Sequence, residues 1–390
     1  MDQLAFSKLT DAEDHHALLR ESVAKLAGRY GRGYFQDLVR RDERPKELWL
    51  ELGAAGYLGM PVSSEFGGSS GTLEDYAIVI EEVAAQGCPM MALVIHAICG
   101  PILDRYGSEQ LKRTWLPGLA AGTKRMVFAI TEPNAGSNTH RISTIARRDG
   151  EGWRLSGGKY WTSMVDEADA ILVVARDGDA DERGRYPLSL FVVHADAKGL
   201  SKTVIDAVVQ APEKQFMVFF DDVRLGHDAL VGVSGKGLKQ VFDGLNAERV
   251  AGAATSNGIA RYALSKGSDY AGTRKVWSAP IGAHQGVAHP LSEAYIAVQL
   301  ARLMTTRAAR LFDSGADAGE AANMAKFAAA DASLLALDQA IQIHGGNGYA
   351  FEYGLADLWH FARLMKSAPI SREMILNYIS QHSLKLPRSY

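Results

Sequence analysis

Cysteine is almost missing from this chain: Cys88 and Cys99 are its only two, and no C-x-x-C occurs. Two thiols cannot build a disulfide framework, so both read as small buried apolar groups, and a reducing compartment fits. Excess charge of one sign is also missing. The 42 basic residues face 45 acidic ones, for a net of −3, which gives no electrostatic case for nucleic acid or an anionic membrane. A local basic pocket for a single phosphate stays open. No apolar run approaches the ~20 residues of a membrane span. The first sixteen residues are acidic, with neither the Arg-rich character of a transit peptide nor the apolar core of a secretion signal. A cytoplasmic protein is the expectation, with no membrane partner. No internal repeat and no low-complexity tail occurs, and no metal site is expected.

What is present is ordinary globular composition, 47% hydrophobic and 22% charged. At 390 residues, two or three domains are the natural division. Thr10 and Glu13 form a T-x-x-E capping box, followed at helical spacing by Leu19, Val23, Leu26 and Tyr30. A helix around Pro45 to Gly53 carries Leu48 and Leu52 on one face. Helical patterns continue from Leu73 to about Ala121. Near Met126 the pattern changes to short strand-like runs at 127–130, 171–175, 188–193 and 216–220. The D-G-E-G turn at 149–152 leads into a further strand at 153–156. From Gly235 helices return. Leu238, Val241, Phe242 and Leu245 form an amphipathic stripe. An Ala-rich helix from about Glu320 to Ile343 stops at Gly345-Gly346-Asn347-Gly348, and a last helix starts near Ser371. The expected fold is mostly α with a central β-barrel, divided at 1–125, 126–234 and 235–390.

Several segments together resemble the acyl-CoA dehydrogenase family. Phe128-Ala129-Ile130-Thr131-Glu132-Pro133-Asn134-Ala135-Gly136-Ser137-Asn138 is similar to the family's first signature, and Gln342-Ile343-His344-Gly345-Gly346-Asn347-Gly348-Tyr349 to its second. Lys159-Tyr160-Trp161-Thr162-Ser163 looks like its K-x-W-I-T. Arg274 to Trp277, Pro280-Ile281 and His284-Gln285 resemble its R-x-x-F-G-x-P-I-x-x-x-Q block. Glu65-Phe66-Gly67-Gly68 and Tyr106-Gly107-Ser108-Glu109 match further landmarks. The resemblance covers nearly the whole chain in order. It implies a helical N-terminal domain, a middle β-barrel, a C-terminal four-helix domain and a homotetramer.

The resemblance also implies site roles. FAD would be the cofactor, with Phe128, Ile130 and Thr131 near the flavin pyrimidine edge. Ser137 would meet the pyrophosphate and the substrate side, Trp161 would lie by the ring, and Ser163 would sit near N5. Arg274, Trp277, His284 and Gln285 would reach the FAD of a neighbouring subunit. Gln342, Gly345 and Gly346 would line the adenine-diphosphate portion, and Ser371 matches a motif Thr. Such roles suit the residue types: glycine lets a backbone approach phosphate, and arginine offers a fixed fork to its oxygens. Taken singly, a strand Trp is ordinarily core, an Arg a solvated charge, and a Gly pair a helix stop.

One landmark is missing. Most of the family supplies its catalytic base from an E-G-T motif before the last helix, where this chain reads Pro369-Ile370-Ser371. Proline can be neither a base nor an N–H donor to a thioester oxygen. A minority of the family, including isovaleryl-CoA types, carries the glutamate on an earlier helix directly before an Arg. That position here is Glu248, before Arg249. Glu248 follows Val241 by seven residues and Leu245 by three, so it points with the apolar stripe. A carboxylate there is costly unless paired or functional, and a buried ion pair or a partly wet Glu248 are the plain alternatives. Asn246 and Arg249 would shape the substrate side. Two more departures are Asn138, followed by His140 and Arg141, and Met164.

The resemblance therefore implies oxidation of an acyl-CoA substrate at Cα–Cβ, with Glu248 taking the α-proton and electrons passing to an electron-transferring flavoprotein. A relative with other flavin chemistry (a desulfinase, an enoyl-CoA reductase or a monooxygenase) and an inactive partner subunit remain alternatives.

Overall fold

The computed structural model describes residues 14–182 and 184–388. The capping box read at Thr10 and Glu13 lies outside the described residues.

Six helices come first: α1 (Asp14–Ala27), α2 (Gly31–Arg41), α3 (Lys46–Ala54), α4 (Leu73–Ala85), α5 (Met91–Tyr106) and α6 (Glu109–Ala120). Their starts are chemically marked. Thr72 and Asp75 exchange side-chain and backbone hydrogen bonds ahead of α4, which satisfies two otherwise free N–H groups. Ser108 caps α6 through the Leu111 N–H. The stripes read from sequence point inward, with Val23, Leu48 and Leu52 fully buried. Both α4 and α5 are buried on nearly every face, as an all-round apolar helix must be.

Strands follow: β1 (Met126–Ala129), β2 (Ile145–Asp149), β3 (Gly152–Ser163), β4 (Ala170–Arg176), β5 (Leu188–His194), β6 (Leu200–Val204), β7 (Gln215–Leu225) and β8 (Leu230–Val231). They form one mixed sheet in the order β6-β7-β3-β2-β4-β5-β8, with β1 joined parallel to β4. Side chains of β4 and β5 are buried over six successive positions each, so both faces of the sheet are covered there. At β7, by contrast, buried and open positions largely alternate.

Helices then return as α7 (Gly237–Thr273), α8 (Gln285–Asp313), α9 (Gly319–His344), α10 (Trp359–Leu364) and α11 (Arg372–Tyr378). The apolar stripe at the start of α7 is narrower than the spacing suggests. Val241 is buried, but Phe242 is 47% exposed, because adjacent helix positions lie about 100° apart. Small residues bring α7 close to its neighbours. A Cβ on Gly244 would stand 2.5 Å from Ile102 of α5, and one on Gly258 would stand 2.4 Å from the Glu81 carbonyl of α4.

Buried charge fastens the helices together. Glu81 of α4 accepts from Arg20, Arg261 and Arg302 at 3.3, 2.8 and 2.7 Å, from α1, α7 and α8. Three guanidinium groups hold its carboxyl below the ordinary range despite burial. Such a cluster persists because every member is paired. The α9 helix ends at Gly345 with φ +57°, a backbone state glycine adopts without penalty.

Candidate active site

The strand–loop region between β1 and β3 is organised by one buried ion pair. Lys159 of β3 donates from Nζ to Glu132 Oε1 at 2.9 Å and to the Ile130 carbonyl at 3.0 Å. Glu132 also accepts from the Ser143 N–H and hydroxyl, both at 2.6 Å, and from the Thr144 N–H at 2.9 Å. Burial alone would raise the Glu132 carboxyl, but Lys159 and these donors hold it at about 2. Burial also pulls the Lys159 ammonium down to about 8, against the pull of Glu132. Both shifts mark one desolvated pair. The Tyr160 N–H donates to the Thr131 carbonyl at 2.8 Å. Ile130, Thr131 and Trp161 are thereby brought together, and Phe128 stays in the core at 8% exposure.

Trp161 departs from the strand. The β3–β7 register shifts between Lys159 and Thr162, and Trp161 takes φ +58°. A bulge of this kind re-aims a side chain, and Trp161 stands 47% exposed instead of entering the core. A bulky residue with positive φ stores strain that the surroundings must enforce. Ser163 is buried, and its hydroxyl donates to Gln215 Oε1 across the strand pair at 2.9 Å. Gln215 carried no signal in the sequence. Thr162 Oγ1 is buried with no hydrogen-bond partner among the described residues. Ser137, His140 and Arg141 are exposed, and Asn138 accepts from the His140 N–H at 3.2 Å, a local turn bond.

Glu248 lies on α7, partly buried, with no hydrogen bond or ion pair among the described residues. Burial raises its carboxyl to about 7, against the opposing charges of Arg249 and Lys326. Arg249 is committed elsewhere: its guanidinium donates to Asn246 Oδ1 at 2.7 Å. The turn that replaces the family motif is close at hand. A Cβ on Gly252, one helical turn past Glu248, would meet the Pro369 ring at 3.5 Å and Met365 at 3.2 Å. Lys326 of α9 donates to the Ile370 carbonyl. Ser371 caps α11, its hydroxyl accepting from the Met374 N–H at 3.3 Å.

The remaining residues gather at the far end of α7. Arg274, Trp277, His284 and Gln285 are exposed, Trp277 by 81%. Tyr270 stacks on His344 at 4.1 Å between ring centres, and its hydroxyl accepts from Asn347 at 3.1 Å. This joins the Arg274 block to Gln342, Gly345 and Gly346, which are exposed as well. Arg274 is the residue just past the end of α7, 26 positions beyond Glu248 (248 to 274), so the helix between them spans roughly 38 Å at ~1.5 Å per residue. The structure does not bring these two groups together within one chain.

A helical unit, a β unit and a second helical unit, with an ionisable residue on the long central helix, define a class that the comparisons name. Family profiles described as the acyl-CoA dehydrogenase N-terminal, middle and C-terminal domains match residues 13–123, 127–223 and 235–384. The acyl-CoA dehydrogenase FadE12 of Mycobacterium tuberculosis (strain ATCC 25618 / H37Rv) is 50% identical over 383 residues, covering 97% of this chain and 98% of that protein. Among solved structures, a glutaryl-coenzyme A dehydrogenase in complex with glutaryl-CoA matches with TM-score 0.89 at 26% identity, over 97% of each chain. An FAD complex of PigA matches with TM-score 0.90 at 25% identity, over 96% of this chain and 99% of that one. The chain belongs to the acyl-CoA dehydrogenase family.

Proposed function

We propose that this enzyme oxidises an acyl-CoA thioester to its 2-enoyl form, with Glu248 as the base that removes the α-proton. Its cofactor is FAD, and the residues present fit that group. Glycines 136, 345 and 346 have nothing within 4 Å of where a Cβ would stand. Trp161 is turned out of its strand beside the tethered Ile130–Thr131 segment. FAD, when bound, supplies the acceptor for the two electrons and the hydrogen that leave Cβ.

The residues of the chain account for the rest. The Cα–H bond breaks toward a Glu248 carboxylate, and its electron pair moves toward the thioester. A carboxyl at about 7 can exist in either state near neutral pH, which is where a general base works best. Because Glu248 has no competing hydrogen bond among the described residues, its lone pairs are available to the substrate. The Arg249–Asn246 bond fixes the two groups that flank Glu248 along α7, which we assign to the substrate side. Pro369 offers no N–H to the thioester oxygen, so charge there depends on other donors.

The observation that carries this reading is a carboxylate on the apolar side of α7 that has no partner among the described residues. It supports the branch of the family that places its glutamate on the earlier helix. The separation of the two residue groups along α7 supports a homotetramer, in which Arg274, Trp277, His284 and Gln285 serve a neighbouring subunit's cofactor. We assign electron exit to an electron-transferring flavoprotein and the compartment to the cytoplasm, and the domain boundaries to 125/126 and 234/235. The test is anaerobic titration with a panel of acyl-CoAs, following bleaching of the flavin. A substrate should bleach the wild type, and Glu248→Gln should slow bleaching by about 10²–10⁴-fold. Equal rates in the two proteins would remove Glu248 from the mechanism.

A further inference from the structure

Lys326 did not stand out in the sequence, being one lysine in an Ala-rich helix. In the structure it is 2% exposed and sits on α9 among buried Ala325, Ala329 and Ala330. An ammonium is expensive to bury unless it meets a partner. Its partner is the Ile370 carbonyl, in the turn between α10 and α11. The Pro369 ring of that turn packs toward Gly252, four residues beyond Glu248 and therefore on the same helix face. Lys326, the turn and the carboxylate thus belong to one wall.

We infer that Lys326 is a positioning residue for proton transfer at Glu248, pinning the Pro369–Ile370 turn against the base's helix and keeping a positive charge beside the carboxylate. The inference rests on the reading of Glu248 as the base. The groups acting on Glu248 and on Lys326 are few enough to name. Arg249 lies on the same helix as Glu248, and Lys326 faces it from α9. Cys99 from α5 feels the Glu248 charge, though burial keeps its thiol neutral. Tyr378 of α11 acts on Arg249. Burial lowers the Lys326 ammonium to about 8, so it carries its charge at neutral pH, and it feels Asp331 of its own helix, Arg249 of α7, Glu373 of α11 and Glu248 itself. Asp331 is already matched by Lys366 at 2.6 Å and by Arg372, and Glu373 is exposed, where water screens it. Arg249 is held by Asn246. The Lys326 charge is therefore left to favour an ionised Glu248, which is the state that accepts a proton.

A merely structural tether would lower stability without moving the titration of Glu248, and this separates the two roles. Full-length, FAD-loaded wild type, Lys326→Arg and Lys326→Met are compared for the pH dependence of flavin bleaching by an acyl-CoA. Lys326→Met should move the acid limb up by about one pH unit, so that its rate falls about tenfold below the limb and recovers at high pH. Lys326→Arg should keep the wild-type limb. A limb that stays in place in folded, FAD-loaded Lys326→Met overturns the inference. Melting temperatures from pH 5 to 9 give a readout that needs no turnover. Glu248→Gln should raise the melting temperature at pH 8 more in the Lys326→Met background than in the wild type, and equal increments overturn the coupling. Should no acyl-CoA bleach the wild type, the proposed function falls while the melting cycle still decides Lys326. If Lys326→Met does not fold, Lys326→Gln keeps a donor for the Ile370 carbonyl, loses only the charge and carries the same test.

Discussion

Glu132 and Glu248 are the same residue in two opposite environments. Glu132 sits in the β region, pinned by an ammonium, a hydroxyl and two backbone N–H groups, and its carboxyl is held at about 2. Glu248 sits on α7 with no hydrogen-bond donor among the described residues, and its carboxyl is raised to about 7. Burial pushes both upward, so the difference is made by partners. A fully partnered carboxylate is a fastening that cannot take a proton near neutral pH. One that is desolvated but unpartnered stands ready to take one. In the function proposed above, the first shapes the cofactor loop and the second is kept for chemistry.

The contrast can be broken most sharply at the fastening. Glu132→Gln or Lys159→Met alone should cost about 3–5 kcal/mol of unfolding free energy, because each leaves a buried charge unpaired. The double variant should lose less than the two singles together. Denaturant unfolding checks this, and single costs below about 1 kcal/mol would show the pair to be hydrated. Its pH dependence has a definite sign. The Glu132 carboxyl lies below its ordinary 4.5, so its stabilisation is present above that value and is lost as pH falls toward about 2. The wild type should then approach Glu132→Gln in stability.

The opposite sign belongs to Glu248. Its carboxyl lies above 4.5, so stability is fully present below 4.5 and declines as pH rises through about 7. Glu248→Gln should match the wild type near pH 4 and exceed it near pH 8 by about 2–3 kcal/mol, less where water enters the cleft. Unfolding at the two pH values measures it, and equal stability at both would mean an ordinary, wet carboxyl. The smallest effect is expected at Trp161. Trp161→Asn suits the positive φ better and should raise the stability of the FAD-free protein by about 1 kcal/mol or less, while weakening FAD retention. A loss of stability there would show that Trp161 contributes packing that outweighs its strain.

Much of the fold could be read from the residues. Leu48 and Leu52 and the Gly345 stop act locally, through bonds and spacings a few residues long. The stripe on α7 is narrower than its spacing predicts, since Phe242 faces outward, and local patterns did not mark α8 as a helix. Glu248 could be picked out because it stands where part of the family carries its glutamate, and because a carboxylate there breaks an apolar periodicity. Lys326 breaks one as well: a lysine among alanines at buried spacing is a signal of the same kind. Gln215 had no signal, because its partner Ser163 is 52 residues away and the contact exists only through strand pairing.

The linear chain alone determined its class: the order of helices and strands, and the motif set that marks the family, because periodicity, capping and turn chemistry are local properties. Tertiary structure decided what each charged or aromatic side chain experiences. It paired Glu132, gave Glu248 no partner among the described residues, turned Trp161 outward through a bulge, and set Lys326 behind the Pro369 turn. Desolvation and partner geometry are set by residues distant along the chain, and no local pattern records them.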